Sequence, residues 1–210
     1  MIGVTRETHD LRVLDFDIEC RPIAWYAGEW VTKQPTVIAW KWVHEPAYVE
    51  PRVAWIGRSG ISARVLDEEE EMILEFLEVY DRAEMVTGHF IRGFDLPTLN
   101  GACMRLGMPG LGSKLASDTK LDLDTASGLS KSMENLSAMF EAEHQKFPMN
   151  TALWARSNML LPDGIELAKT RCQNDVVEHI ELRERMIDLD VLAPPRDWSP
   201  RSSGVGGYHA

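Results

Sequence analysis

The chain has 210 residues, 44% hydrophobic and 26% charged, which suits one domain with a full core. Its net charge of −11 has the wrong sign for holding nucleic acid by bulk electrostatics, so nucleic-acid chemistry would need a local charge reversal by metal, or a partner. No apolar run nears the roughly 20 residues of a membrane span, and the first ten residues, MIGVTRETHD, lack a secretory apolar stretch. The three isolated cysteines, Cys20, Cys103 and Cys172, argue against a disulfide framework or a zinc site and suit a reducing cytoplasm.

In chain order, Arg12 to Cys20 (RVLDFDIEC) reads as a strand, with Leu14, Phe16 and Ile18 alternating against Asp15, Asp17 and Glu19. A turn-rich loop with Pro22 and Gly28 follows. Thr36 to Val43 and Arg52 to Ile56 then read as two further strands of an antiparallel meander, punctuated by Pro46 and Pro51. Asp67 to Asp81 predicts a helix: its acidic first turn suits the positive end of the helix dipole, and Met72, Ile73, Phe76, Leu77 and Tyr80 recur at helical spacing. Glu84 to Gly88 reads as a short buried strand and Phe94 to Leu106 as a helix. Asp118 to Leu123 is a further strand candidate, and Met133 to Glu143 a helix capped by Ser132. Gly164 to Val191 carries the longest helical pattern and stops at Pro194 and Pro195. Residues 1–193 therefore read as one α/β domain, a mixed sheet with helices packed against it. Residues 194–210, rich in Pro, Ser and Gly, read as a mobile tail.

Three carboxylates on one strand face repel one another and call for a compensating charge. A divalent cation with oxygen ligands supplies it; the plainer alternative is an edge strand with a solvated acidic face. Two more carboxylates stand in suggestive places, Asp95 at a helix start in HFIRGFDLPTL and Asp175 inside the last helix in CQNDVVEHIEL.

With these blocks the sequence resembles the DEDD 3′–5′ exonucleases of the RNase H-like (DnaQ-like) fold, in particular the proofreading domain of family B DNA polymerases. FDIEC at 16–20 is similar to the first motif, TGHFIRGFDLPTL at 87–99 to the second and RCQNDV at 171–176 to the third. SKSMENLSAMF at 130–140 is similar to the helix these enzymes carry before the third motif, so the likeness runs over residues 12–190. The resemblance implies that Asp17, Glu19, Asp95 and Asp175 hold two Mg²⁺ or Mn²⁺ ions, about 4 Å apart, that clamp a scissile phosphate. Strand spacing alone leaves Asp15 as a rival ligand, and only the resemblance favours Asp17. It further implies removal of nucleoside monophosphates from the 3′ end of single-stranded nucleic acid, DNA before RNA, with a polymerase or replication complex as a possible partner. The alternatives are an exonuclease acting on RNA and a catalytically silent module that binds nucleic acid or a replication protein.

The third motif of the family carries a tyrosine four residues, or a histidine five residues, before its aspartate. Here Arg171 and Thr170 stand at those places. Arg171, Asp175 and His179 lie four apart and share one helix face. His179 is thus a candidate to orient water, or an exposed helix residue. Arg171 is a candidate phosphate contact, or an ion-pair partner of a nearby acid. His89 reads as a substrate-facing polar residue or as a hydrogen-bond partner of the following loop. Trp25 and Tyr26 read as a stacking platform for a terminal base or as packing residues. Arg92, Lys114, Lys120 and Lys131 are sources of local positive charge. Trp40, Trp42 and Trp55 fall in strands and read as core or sheet surface.

Overall fold

The computed structural model describes residues 11–23, 32–59, 65–123, 128–144 and 148–200. The alternation in the first strand takes effect as expected. β1 (Val13–Ile23) pairs antiparallel with β2 (Thr32–Trp42), which pairs antiparallel with β3 (Arg52–Trp55). On its other side β1 pairs in parallel with β4 (Met85–Gly88), and β4 with β5 (Lys114–Asp118). A short β6 (Arg196–Trp198) closes the sheet antiparallel to β5, giving the order β3-β2-β1-β4-β5-β6. This mixed sheet, an antiparallel meander continued by parallel strands, is the expected RNase H-like arrangement.

Among the described residues five helices flank the sheet: α1 (Val65–Arg82), α2 (Asp95–Arg105), α3 (Met133–Met139), α4 (Thr151–Asn158) and α5 (Pro162–Asp188). Period-2 alternation decides which helix each face meets. Leu14, Phe16 and Ile18, with Ile38 and Trp40 of β2, pack on the apolar stripe Met72, Ile73, Phe76 and Tyr80 of α1. The Phe76 ring lies 4.9 Å from Phe16 and 6.0 Å from Trp40, centroid to centroid. The opposite face presents Val37 and Ala39, register partners of Glu19 and Asp17, and they pack on Ala168, Cys172 and Val176 of α5. Those side chains are small, so α5 lies close to the strand that carries the acids. No described helix is long and apolar enough to cross a membrane.

Four expectations change. The strand foreseen over Asp118 to Leu123 instead ends at Asp118. Its carboxylate accepts from the backbone N–H groups of Lys120 and Leu121 and folds the chain into a turn. Leu123 makes only an isolated bridge to Leu192. The helix capped by Ser132, which accepts from Asn135 N, ends at Met139, short of Glu143. α4, capped by Asn150, went unforeseen because among its residues only Ser157 is buried, so it carries no apolar stripe to read. The expected tail begins with β6, where Trp198 is 4% exposed and joins the main core.

The close packing of α4 on α5 depends on Gly164. A Cβ there would stand 2.4 Å from Ser157 N and 2.5 Å from the Arg156 carbonyl carbon, both backbone atoms that cannot step aside. Gly to Ala in an exposed helix interior stabilises by about 1 kcal/mol. Gly164→Ala is expected to do the reverse, lowering stability by about 1–3 kcal/mol as overpacking does. The urea midpoint checks it, and an unchanged or raised midpoint would remove the close approach as a constraint.

Candidate metal centre

β1 and α5 cross the acidic face in opposite directions with matched repeats. Two residues of a strand advance about 6.7 Å, and four residues of a helix about 6 Å. Side chains two apart on β1 therefore meet side chains four apart on α5, rung by rung. Glu19 meets Arg171, Asp17 meets Asp175, and Asp15 meets His179. α5 is stitched to β1 at the middle rung, where the Cys172 thiol donates to Asp17 O at 3.3 Å and to its Oδ2 at 3.5 Å.

Each rung has its own chemistry. In the first, Arg171 Nε donates to Glu19 Oε1 at 2.8 Å, and Arg171 Nη2 lies 3.6 Å from Asp175 Oδ2. The guanidinium carbon sits 5.3 Å from the centroid of the Trp154 ring on α4. The middle rung sets like charge on like. One carboxylate oxygen each of Asp17, Glu19 and Asp175 lie within 4.8 Å of one another, a spacing that suits a shared hard cation. Burial, and then the neighbouring charges of Asp95, Asp175 and Glu19, hold the Asp17 carboxyl well above the usual carboxylate range. A β-bulge between Glu19 and Cys20 shifts the register at the edge of this rung, as bulges beside sites do.

The third rung withdraws Asp15 from the cluster. His179 Nδ1 and Asp15 Oδ2 are hydrogen-bonded at 2.6 Å, and His179 Nε2 meets Thr119 Oγ1 at 3.0 Å. Thr119 Oγ1 in turn meets His89 Nδ1 at 3.0 Å, and His89 Nε2 meets the Lys131 carbonyl oxygen at 3.0 Å. A carbonyl only accepts, so His89 Nε2 carries the proton at that end and donates it. His179 is 2% exposed, which replaces the exposed-helix alternative. Both of its ring nitrogens face protein groups rather than the Asp17–Asp175 rung.

Asp95 approaches from the start of α2. It is buried, its Oδ1 accepts from Ile18 N at 3.2 Å, and its charge is felt by Asp17. Burial pushes its carboxyl up to about 8 against the pull of the backbone hydrogen bonds. Its oxygens lie outside the tight cluster of the other three. What fixes the loop that delivers it is Asp118, whose carboxylate accepts from Phe90 N and Arg92 N at 3.0 Å each. Phe90 is held there at φ 72, a left-handed conformation that costs a non-glycine residue. Gly88 lets the end of β4 lie against Phe16, since a Cβ would meet Phe16 O at 2.8 Å.

The remaining candidates divide. Arg92 turns to Asp122 and Asp118, so it anchors the loop instead of facing the cleft. Lys114 donates to Ala83 O and Lys131 to Leu123 O, both at 2.7 Å. Lys120 lines a cleft over the middle rung with Asp17, His89, Ser132, Glu134 and Asp175. A second cleft beside Glu19 is lined by Lys33, Phe94 and Trp154. Trp25 and Tyr26 lie outside the described residues. Sequence reasoning missed Asp118, Thr119 and Trp154. Asp118 carried a faint signal as an acid at the end of an apolar strand, whereas Thr119 and Trp154 carried none.

No protein-family model matches the chain, and no curated protein matches it. Among solved structures it is similar to the family B DNA polymerase from the hyperthermophilic archaeon Pyrobaculum calidifontis, with a TM-score of 0.54 at 18% identity. The match covers 86% of this chain and 26% of the polymerase, so the chain corresponds to a fraction of that protein's length. At this identity the likeness is one of fold: nearly all of this α/β domain follows the course of one part of a DNA polymerase.

Proposed function

We propose that the chain is a DEDD-type 3′–5′ exonuclease in which Asp17, Glu19, Asp95 and Asp175 hold two Mg²⁺ or Mn²⁺ ions. The substrate is single-stranded DNA, shortened from its 3′ end to nucleoside monophosphates, and the chain works beside a polymerase or replication complex. The observation that carries this is the middle rung, where Asp17 and Asp175 face each other with Glu19 inside 4.8 Å. A fold that sets like charges together under burial needs a cation to hold them ionised. The donor set, all carboxylate, suits Mg²⁺ or Mn²⁺ rather than zinc.

Bound there, divalent ions supply water activation and offset charge on the scissile phosphate. The chain's own residues divide the rest. Asp17, Glu19 and Asp175 fix the position of the positive charge, and Asp95 adds its carboxylate as it ionises. His89 and Lys120 line the approach to Asp17 and Asp175 and would meet the phosphate end of the strand. Phe94 and Trp154 line the cleft on the Glu19 side and would take an unstacked base. A second reading, a silent module that binds without hydrolysis, draws support from Arg171 and His179, which both turn to protein carboxylates.

The two readings separate on a 3′-labelled and a 5′-labelled single-stranded oligonucleotide, incubated with Mg²⁺, Mn²⁺ or EDTA. Metal-dependent shortening from the 3′ end is expected. Asp175→Asn should lower the rate by more than the roughly 10- to 100-fold typical of losing a ligand's hydrogen-bond partner, since it removes a ligand itself. No hydrolysis of DNA or RNA by folded protein with either metal would sink the enzyme.

The raised carboxyls add a prediction on stability. Asp17 and Asp95 hold protons more tightly folded than unfolded, where an aspartate titrates near 4. Without metal the folded state retains protons that the unfolded state gives up as pH rises above about 4, so the stabilisation these two groups contribute falls through that window and is lost as pH passes about 8, where Asp95 titrates. The melting temperature in EDTA should therefore drop between mildly acidic and mildly alkaline pH. Mg²⁺ or Mn²⁺ should raise it most at the alkaline end, and a flat profile in EDTA would contradict the buried like-charge rung.

A further inference from the structure

Arg171 occupies the place where related enzymes carry an aromatic or imidazole side chain, and its surroundings are built for a cation. Its Nε donates to Glu19 at 2.8 Å, and its Nη2 lies 3.6 Å from Asp175. The guanidinium also stands against the Trp154 ring, an arrangement that favours positive charge. Its side chain is 12% exposed, so little water screens these contacts. Both acids it touches belong to the cluster that offers oxygens to a metal.

Resting on the metal-centre reading above, we infer that Arg171 is a resident counter-cation that competes with a divalent ion for Glu19 and Asp175. Before any metal arrives the guanidinium offsets part of the cluster's negative charge. A first ion then meets a less negative cluster than four bare carboxylates would present. A second ion, which needs oxygens Arg171 already engages, enters only as the guanidinium gives way. The geometry allows that retreat without unfolding the helix. Arg171 sits one turn from Asp175 on α5, and its long side chain can leave Glu19 for a phosphate oxygen, which its planar fork suits equally well. Charge balance favours the exchange once a polyanion is present, because the phosphate then supplies the negative charge that Arg171 loses.

The consequence is a centre whose metal affinity is set by a side chain outside the ligand set. Hydrogen bonds to charged groups contribute about 1.5–3 kcal/mol, which corresponds to roughly 10- to 100-fold in affinity. Arg171→Gln keeps much of the length and stacking surface but removes the charge.

Mn²⁺ binding to the full chain, followed by titration calorimetry and by the paramagnetic resonance of free Mn²⁺, tests this without any substrate. Arg171→Gln should tighten the weaker Mn²⁺ step by about 10- to 100-fold. Arg171→Lys, which keeps a cation on the helix, should stay near the wild-type affinity. In EDTA the Gln variant should melt below wild type, and saturating Mn²⁺ should close that gap. Trp154→Leu, which removes the stacked ring, should tighten Mn²⁺ binding in the same direction and serves if Arg171→Gln does not fold. Unchanged or weaker Mn²⁺ binding by Arg171→Gln, or by Trp154→Leu in its place, overturns the inference and leaves the nuclease reading standing. No Mn²⁺ binding by any of the proteins overturns both.

Discussion

The structure depends on one commensurate contact. A strand repeats its facing side chains every two residues and a helix every four, and the two distances nearly agree, at about 6.7 and 6 Å. With α5 running against β1 at the closeness that Ala39, Ala168 and Cys172 permit, three residues of one element fall opposite three of the other. The rest of the acidic face follows from that register. A helix displaced by one residue along its axis would turn Asp175 from the strand by about 100°, and the rung of facing aspartates would not exist. Gly164 and the α4 packing it allows therefore bear on the site, although Gly164 lies outside the acidic cluster.

A contact that assembles like charges destabilises the fold until something offsets them. The chain does this with different devices at different rungs. Arg171 neutralises Glu19 directly, and His179 hydrogen-bonds Asp15. Asp95 gains a backbone donor from Ile18 but stays buried, and its carboxyl rises to about 8. Asp17 has the thiol of Cys172 and little else to counter the charges of Asp95, Asp175 and Glu19. The residual charge is thus concentrated at one place on the sheet. A buried concentration of one sign is expensive in a structural role, which is why function is the more economical account of it.

Much of this was legible in the sequence, though unevenly. The alternation of Leu14, Phe16 and Ile18 with Asp15, Asp17 and Glu19 foretold both faces of β1, because period-2 patterning is a local property. The spacing of Arg171, Asp175 and His179 likewise foretold a shared helix face. The pairing of the two triads was not legible, since the register of a helix on a strand is set by packing across some 150 residues of chain. Depth was hidden for the same reason: His179, readable as a water-orienting group or as an exposed helix residue, is buried against Asp15 and Thr119. Asp118 was read as the start of a strand because its role, accepting backbone N–H groups from Phe90, Arg92, Lys120 and Leu121, lies in a loop geometry that no periodicity records. The short β6 was lost among the Pro and Gly of its surroundings, yet Trp198 anchors it in the core.

Three carboxylates on one face of one strand end in three different states, and the partner each meets on the facing helix separates them. Asp15 would make an acceptable ligand by strand spacing alone, and only the resemblance set it aside. The structure supplies the physical ground: its Oδ2 is committed to His179, which is itself held through Thr119 and His89 to a backbone carbonyl. Freeing Asp15 for a cation would break that chain and leave a buried imidazole without its acid. Glu19 is held by a guanidinium, a partner with which a divalent cation would have to compete. Asp17 faces another acid, so no salt bridge is available across its rung, and its carboxyl is held well above the usual range. The order of availability along β1, from Asp15 to Glu19 to Asp17, is therefore an order of how replaceable the partner is, and a cation would be attracted most strongly at the middle of the strand.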